Sequence, residues 1–287
     1  MTRTDQTPTT PNALPTILVL GGTGKTGRRV AERLESRGYP VRRGSRAASP
    51  SFDWHREATW DACLDGVSAV YISYAPDLAI PGATDAVRSF VDRARRHGVE
   101  RFVLLSGRGE EEAQACEAIV LESGTPSTVV RASWFHQNFS EGAFADMVQA
   151  RQLTLPAGDV QEPFVDVDDI ADVAVAALTE PGHAGEVYEV TGPRLLTFRD
   201  LADELTGAIG ETVSFVEIPH DDFIAGARAS GAPKDVVWIL DYLFSKVLDG
   251  RNAYLSDGVE RALGRPAKDF ADYARDVAAA GLWKAAA

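Results

Sequence analysis

Cysteine is almost missing from this chain. Cys63 and Cys116 are the only two in 287 residues, and each is embedded in helix-like sequence. That leaves no disulfide framework and no cysteine-rich zinc site, and it fits a reducing, cytoplasmic setting. Long apolar runs are missing too, since no segment approaches the roughly 20 residues that span a bilayer. Positive charge is in deficit, with 29 Lys and Arg against 42 Asp and Glu and a formal net charge of −13. That balance argues against nucleic acid or an anionic membrane as the main partner. A small basic pocket for an anionic cofactor remains compatible with it. Residues 1–15, MTRTDQTPTTPNALP, hold no apolar run. They lack the charged start and hydrophobic middle of a signal peptide, so a disordered tail is expected.

Apolar runs alternate with helix-like stretches over the first two-thirds of the chain. TILVL (16–20), YPVRRGS (39–45), SAVYISY (68–74), RFVLLSG (101–107) and PSTVVRAS (126–133) read as strands. Continuous Val/Ile/Leu runs mark strands covered on both faces, and intervening helices imply a parallel, doubly wound α/β sheet. Gly38, Gly98 and Gly124 each close a helix before the next strand. Beyond residue 150 the alternation loosens. EPFVDVDDIADVAVAALTE reads as a short strand and a helix, GEVYEVTG as a strand, and TFRDLADELTGAIG as a helix capped by Thr197. The expected organisation is a nucleotide-binding domain over 16–152, completed by about 164–192, and a smaller, mainly helical substrate lobe over 193–287.

TILVLGGTGKTGRRV (16–30) admits two readings. Gly24-Lys25-Thr26 is how an ATPase phosphate loop ends, but the glycine that should precede it by five positions is Val19. The buried strands also offer no terminal Asp for magnesium. The dinucleotide reading fits better: a strand runs into Gly21-x-x-Gly24-x-x-Gly27 and a helix follows at once. Glycine allows the tight turn, the close approach of backbone N–H groups to a pyrophosphate, and close helix–strand packing. Thr23, Lys25 and Thr26 then lie over the phosphates, at the positive end of a helix. An NAD enzyme places Asp or Glu at the end of its second strand. Here that end reads Arg42-Arg43-Gly44-Ser45-Arg46, and guanidinium and hydroxyl groups suit a 2′-phosphate. NADP(H) is therefore the expected cofactor, with Ser45 and Arg46 as its selectors. Arg28 and Arg29 read as solvated charges.

Together, ILVLGGTGKTGRRVAERL, FDWHREATWDACLDGVSAVYI, RFVLLSGRG, VVRASWFHQNFSEG and PFVDVDDIADVAVAALTE resemble the NmrA-like atypical short-chain dehydrogenases. The likeness is strongest to their ergot-alkaloid (festuclavine-synthase-type) branch and runs from about residue 16 to 275. Enzymes of that type reduce a cyclic iminium with NADPH. Other relatives reduce quinones, azo compounds or isoflavonoids, or bind NADP without turnover. The resemblance implies that Asp53 and Trp54 flank the adenine, and that Tyr74, Ala75 and Pro76 line the nicotinamide ribose. It sets Ser106 and Gly107 beside the nicotinamide and makes Ser133, Trp134 and Phe135 its wall. Trp134, Phe135, His136 and Phe139 become a substrate pocket. The chain departs from the family at Ala132, where relatives commonly carry Pro, and at His136, where they often carry Met.

The carbonyl-reducing short-chain enzymes use Tyr-x-x-x-Lys on the helix after the Ser-bearing strand, the Tyr as proton donor. Here that helix reads GRGEEEAQACEAIVLESG, with neither residue. A ketone needs its developing alkoxide protonated or stabilised, whereas an iminium becomes a neutral amine on accepting hydride. The expectation is an NADPH-dependent reductase of an imine, iminium or similarly activated small molecule, aromatic or cyclic, with Ser106 and His136 as catalytic candidates. The competing readings are local: Ser106 as a strand-end cap and His136 as a packed core residue. Asp166, Asp168 and Asp169 open a helix and complement its dipole, with no metal implied. The rival function is a redox sensor that binds NADP(H) and signals to a protein partner. Oligomeric state is left open.

Overall fold

The computed structural model describes residues 14–142 and 144–284; the expected tail, apart from its last two residues, lies outside them. Six parallel strands form the main sheet in the order β2-β1-β3-β4-β5-β7. They are β1 (Thr16–Leu20), β2 (Val41–Gly44), β3 (Val67–Ile72), β4 (Arg101–Gly107), β5 (Ser127–Ala132) and β7 (Val187–Val190). Side chains alternate across the pleat, and both faces are covered. Ile17, Val19, Tyr71, Val103 and Val130 turn to one core, with Val30 and Leu34 of α1 (Lys25–Ser36) and the apolar face of α7 (Val167–Thr179). Leu18, Leu20, Val70, Ile72, Phe102 and Leu104 turn to the other. There they meet α2 (Trp60–Leu64), α3 (Ala83–Arg96) and α4 (Glu111–Leu121). Burial on both sides is why these strands read as unbroken apolar runs.

Gly38, Gly98 and Gly124 follow their helices at φ +83, +82 and +78°, the left-handed stop that L side chains resist. Thr197 caps α8 (Phe198–Ile209) and shares a capping box with Asp200. The stretch around Phe164 forms no strand. It makes only two isolated bridges, Phe135 to Val165 and Glu162 to Leu196, before Asp166 caps α7 by accepting from the Asp168 N–H.

The second lobe differs from the expected one in extent and content. Its core gathers Phe139, Phe144, Val148, Leu153 and Leu155 with Phe198, Phe244, Phe270 and Trp283, so residues from about 139 to 155 already pack away from the sheet. It holds α5 (Asn138–Glu141), α6 (Ala145–Gln149), α9 (His220–Ala229), α10 (Lys234–Tyr242) and α12 (Phe270–Ala279). A parallel two-stranded sheet, β6 (Gln152–Leu155) with β8 (Ser214–Glu217), joins them. A π turn, Leu243–Val247, extends α10, and α11 (Gly258–Leu263) returns to the main sheet to pack on α7 and β7.

Candidate active site

The carboxyl ends of β1, β3, β4 and β5 open into a cavity of about 420 Å³, closed on the far side by Ile239, Leu243 and Val247 of the second lobe. Its floor begins at the glycine loop. Gly21 takes φ +64°, and its carbonyl accepts from the Gly24 N–H at 2.8 Å. A Cβ on Gly27 would sit 2.2 Å from that same carbonyl oxygen, so only glycine lets α1 approach β1 this closely. Gly24 caps α1 and offers no side chain to its first-turn amides. Those N–H groups are left for an anion. Thr23 and Gly24 are exposed, and Thr26 is buried.

The basic residues of this region divide by commitment. Lys25 Nζ donates to Asn138 Oδ1 at 2.9 Å, and burial lowers its pKa. Arg28 and Arg29 pair with Glu141 of α5 at 2.8 and 2.6 Å, so they join the lobes instead of standing in solvent. Arg42 donates to the carbonyls of Cys63 and Asp65, and Arg43 grips Glu35. Arg46 is exposed and enters no ion pair among the described residues, which leaves its guanidinium available. Ser45 precedes it in the loop, its carbonyl accepting from Phe52 N–H. Nearby, Asp53 Oδ1 is turned onto the His55 N–H at 3.0 Å. Trp54 is mostly buried, donates to the Ser73 carbonyl at 3.1 Å and packs on Tyr74 with ring centroids 4.8 Å apart. Open loop amides, an uncommitted arginine and a glycine cradle that a Cβ would fill suit a dinucleotide phosphate.

The cavity wall brings together Gly21, Gly24, Lys25, Thr26, Tyr74, Ala75, Pro76, Ser106, Gly107, Ser133, Trp134 and Phe135. Ser106 is buried, and its hydroxyl donates to Glu117 Oε1 at 2.6 Å. Glu117 in turn holds Arg131, which reaches Glu189 at 2.9 Å. The Ser106 proton is therefore aimed at a carboxylate, and only its lone pairs are free toward the cavity.

His136 and Phe139 are not on that wall. The chain beside Phe135 is pinned to residue 165, with His136 N–H donating to the Val165 carbonyl. This pairing sends the His136 ring into the protein, 0% exposed, between Phe270 and Tyr273. Its Nε2 lies 2.9 Å from the Phe164 carbonyl, and Nδ1 lies 3.6 Å from Asp166 Oδ2, just past hydrogen-bond range. Burial would raise the Asp166 pKa, but the imidazole and the hydrogen bonds from Asp168 N–H and Gln137 outweigh it and hold it at about 2. Phe139 sits fully buried among Phe144, Phe164, Phe198 and Phe270. Neither residue can touch a substrate in this arrangement, so both assignments to the site are withdrawn.

Three carboxyl residues that the sequence did not single out do reach the cavity: Asp77, Glu110 and Glu162. Glu162 is 0% exposed; Ser133 Oγ donates to its Oε2 at 3.4 Å, and Oε1 has no partner. Burial pushes it up to about 7, against the opposing pull of Arg108, Asn252 and Ser133. Asn138, Arg108 and Asn252 line the same space.

A family model described as NAD(P)H-binding matches residues 21–181. The agroclavine dehydrogenase of Claviceps fusiformis is 34% identical over 284 residues, covering 91% of this chain and 96% of its own. The festuclavine dehydrogenase of Aspergillus fumigatus is likewise 34% identical, over 90% and 96%. Among solved structures, an NADPH-dependent quinone oxidoreductase from Escherichia coli superposes with a TM-score of 0.73 at 22% identity, over 91% of this chain and 99% of that one; this shows the shared fold. With a glycine-loop nucleotide cradle opening into a cavity at the carboxyl edge of its sheet, the chain belongs to the NAD(P)H-binding family and is an NAD(P)H-dependent oxidoreductase.

Proposed function

We propose that the protein is an NADPH-dependent reductase that delivers hydride to a cyclic imine or iminium carbon, with no Tyr-x-x-x-Lys dyad. The observation that carries this reading is the cavity wall. It pairs an apolar roof (Ile239, Leu243, Val247) with buried carboxyls whose oxygens lack donors, and α4 beside it carries neither Tyr nor Lys. Such a wall disfavours a developing alkoxide and favours a cation. The names of the clavine dehydrogenases point to the same class of ring-bearing substrate.

Bound NADPH supplies the hydride. The amides of α1 hold its phosphates, and Arg46 takes the 2′-phosphate. Phe135 and the backbone around Ser106 and Gly107 orient the acceptor over the nicotinamide. Glu162 stands ready to pair with the substrate nitrogen, and orientation together with charge supplies most of the rate.

The test follows the loss of reduced-nicotinamide absorbance with an N-methyl dihydroisoquinolinium salt, a quinone, an enone and simple ketones. Turnover of the iminium salt with the ketones inert is expected. Arg46→Ala should weaken NADPH by about 10-fold, the loss of one exposed charge-assisted contact, and leave NADH affinity nearly unchanged. Tight NADPH binding without turnover of any acceptor would overturn the reductase assignment in favour of a sensor.

A further inference from the structure

Beside Ser106 the backbone leaves an opening at Gly107, and the Glu110 carboxyl fills it. A Cβ built on Gly107 would fall 2.2 Å from Glu110 Oε1 and 2.7 Å from Oε2. Glu110 is only 5% exposed, it lines the cavity, and its Oε2 has no donor. Asp77, from the loop after β3, lines the same cavity, and the two carboxyls stand close enough for each to perturb the other. Asp77 Oδ1 accepts from the Ala79 N–H at 2.9 Å. Two carboxyls crowded onto one water-poor wall carry at most one negative charge, so one of them keeps its proton.

We propose that Asp77 and Glu110 share one proton at the cavity wall, and that Glu110 gives it to the nitrogen of a neutral cyclic imine as hydride reaches the adjoining carbon. This rests on the reductase reading and deepens it, since the cavity then makes its own iminium. The balance is simple. The C=N π bond breaks and its electron pair stays on nitrogen, which gains the Glu110 proton. Carbon gains the hydride from NADPH, which leaves as NADP⁺. The imine is reduced to an amine, and the pair, left with both carboxylates ionised, recovers its proton from water through the cavity mouth.

Most of the groups facing the pair favour retention of that proton, while the Ala79 N–H opposes it at Asp77. Burial lifts Glu110 well above the usual carboxylate range, and Asp77, Glu112 and Glu117 reinforce it by like charge. Burial likewise lifts Asp77, with Glu112 adding to it. From α10, Tyr242 approaches as a neutral phenol that donates to Glu112 at 2.7 Å. Cys116, also on α4, stays a neutral thiol because burial raises it. Two carboxyls in one desolvated site cannot both ionise near neutrality.

The experiment compares kcat/KM for a neutral dihydroisoquinoline with that for its N-methyl iminium salt, at alkaline pH, in the full-length protein. In Glu110→Gln the imine-to-iminium ratio should fall by about 10²-fold, the usual contribution of a positioned acid. Asp77→Asn should keep imine turnover but move its alkaline limb to lower pH, because Glu110 loses the neighbouring charge that holds its proton. A second readout needs no turnover. The infrared band of a protonated carboxyl, present in the cofactor-free protein at neutral pH, should diminish in Glu110→Gln. A ratio that stays constant while both activities fall together, or a band untouched by Glu110→Gln, overturns the shared-proton proposal. If the wild type ignores the iminium salt itself, it is the reductase reading that fails, and the infrared band still reports on the pair.

Discussion

At the scale of the residue, the site depends on carboxyls held away from water, and their burial has a stability cost that can be measured. Glu162 titrates at about 7 in the folded protein, chiefly because it is buried, against about 4.3 in an unfolded chain. Below the lower value both states are protonated and the residue is neutral to stability. Between the two values the unfolded chain ionises while the folded one keeps its proton, so folding loses free energy as pH rises through that window. Once both are ionised the cost reaches roughly 4 kcal/mol. Glu162→Gln removes it. Denaturant titrations should therefore show wild-type stability falling from pH ~5 to ~8, with a clearly shallower fall in the variant. Parallel curves would mean that Glu162 is solvated in the native state. None of this was visible in QEPF, where Glu162 looks like any loop acid, because burial by a distant lobe leaves no local pattern. Arg46 was expected from the loop after β2, where a 2′-phosphate selector belongs, and it stands exposed there while Arg42 and Arg43 are bound elsewhere.

At the scale of the element, the strand–loop–helix unit of β1 and α1 was the most readable part of the chain, and its packing explains why. Gly27 meets the Gly21 carbonyl with no room for a methyl group, and the obstructing atom is backbone, which cannot swing aside. Gly27→Ala should force α1 away from β1 at a cost of about 1–3 kcal/mol and weaken NADPH in the same measurement, since the phosphate-facing amides move with the helix. Thermal unfolding and cofactor titration would decide it. A stable variant with normal affinity would show that the close approach is dispensable. Other elements were read less well, each for a physical reason. PFVDV has the apolar alternation of a strand, but the cap at Asp166 ends it after one bridge. β6 and β8 are four residues each, and β8 is largely exposed, so neither carries an apolar run. The family resemblance set His136 and Phe139 on the cavity with Trp134 and Phe135. The bridge at Phe135 sorts alternate residues to opposite sides, which no composition-based reading resolves.

At the scale of the whole molecule, the cofactor cradle and the second lobe are tied together. Lys25 reaches Asn138, and Arg28 and Arg29 share Glu141. These three basic residues belong to the helix that faces the phosphates, while both partners belong to α5. Although burial opposes it, the two guanidinium groups hold the Glu141 carboxyl at about 2, so the tie stays charged through the physiological range. The aromatic core of the second lobe begins at Phe139, one residue past an anchor to the first. Cofactor binding should consequently stabilise the molecule as one unit. At NADPH about 100 times its Kd, unfolding should cost about 2.7 kcal/mol more, and a single calorimetric transition should move up by roughly 5–10 °C. Replacing Glu141 with Ala should split that transition, the later half of the chain melting at a temperature that NADPH no longer shifts. Two transitions already present in the wild type, only one of them responsive to NADPH, would show that the lobes fold independently and that the contacts across α1 and α5 merely rest against each other.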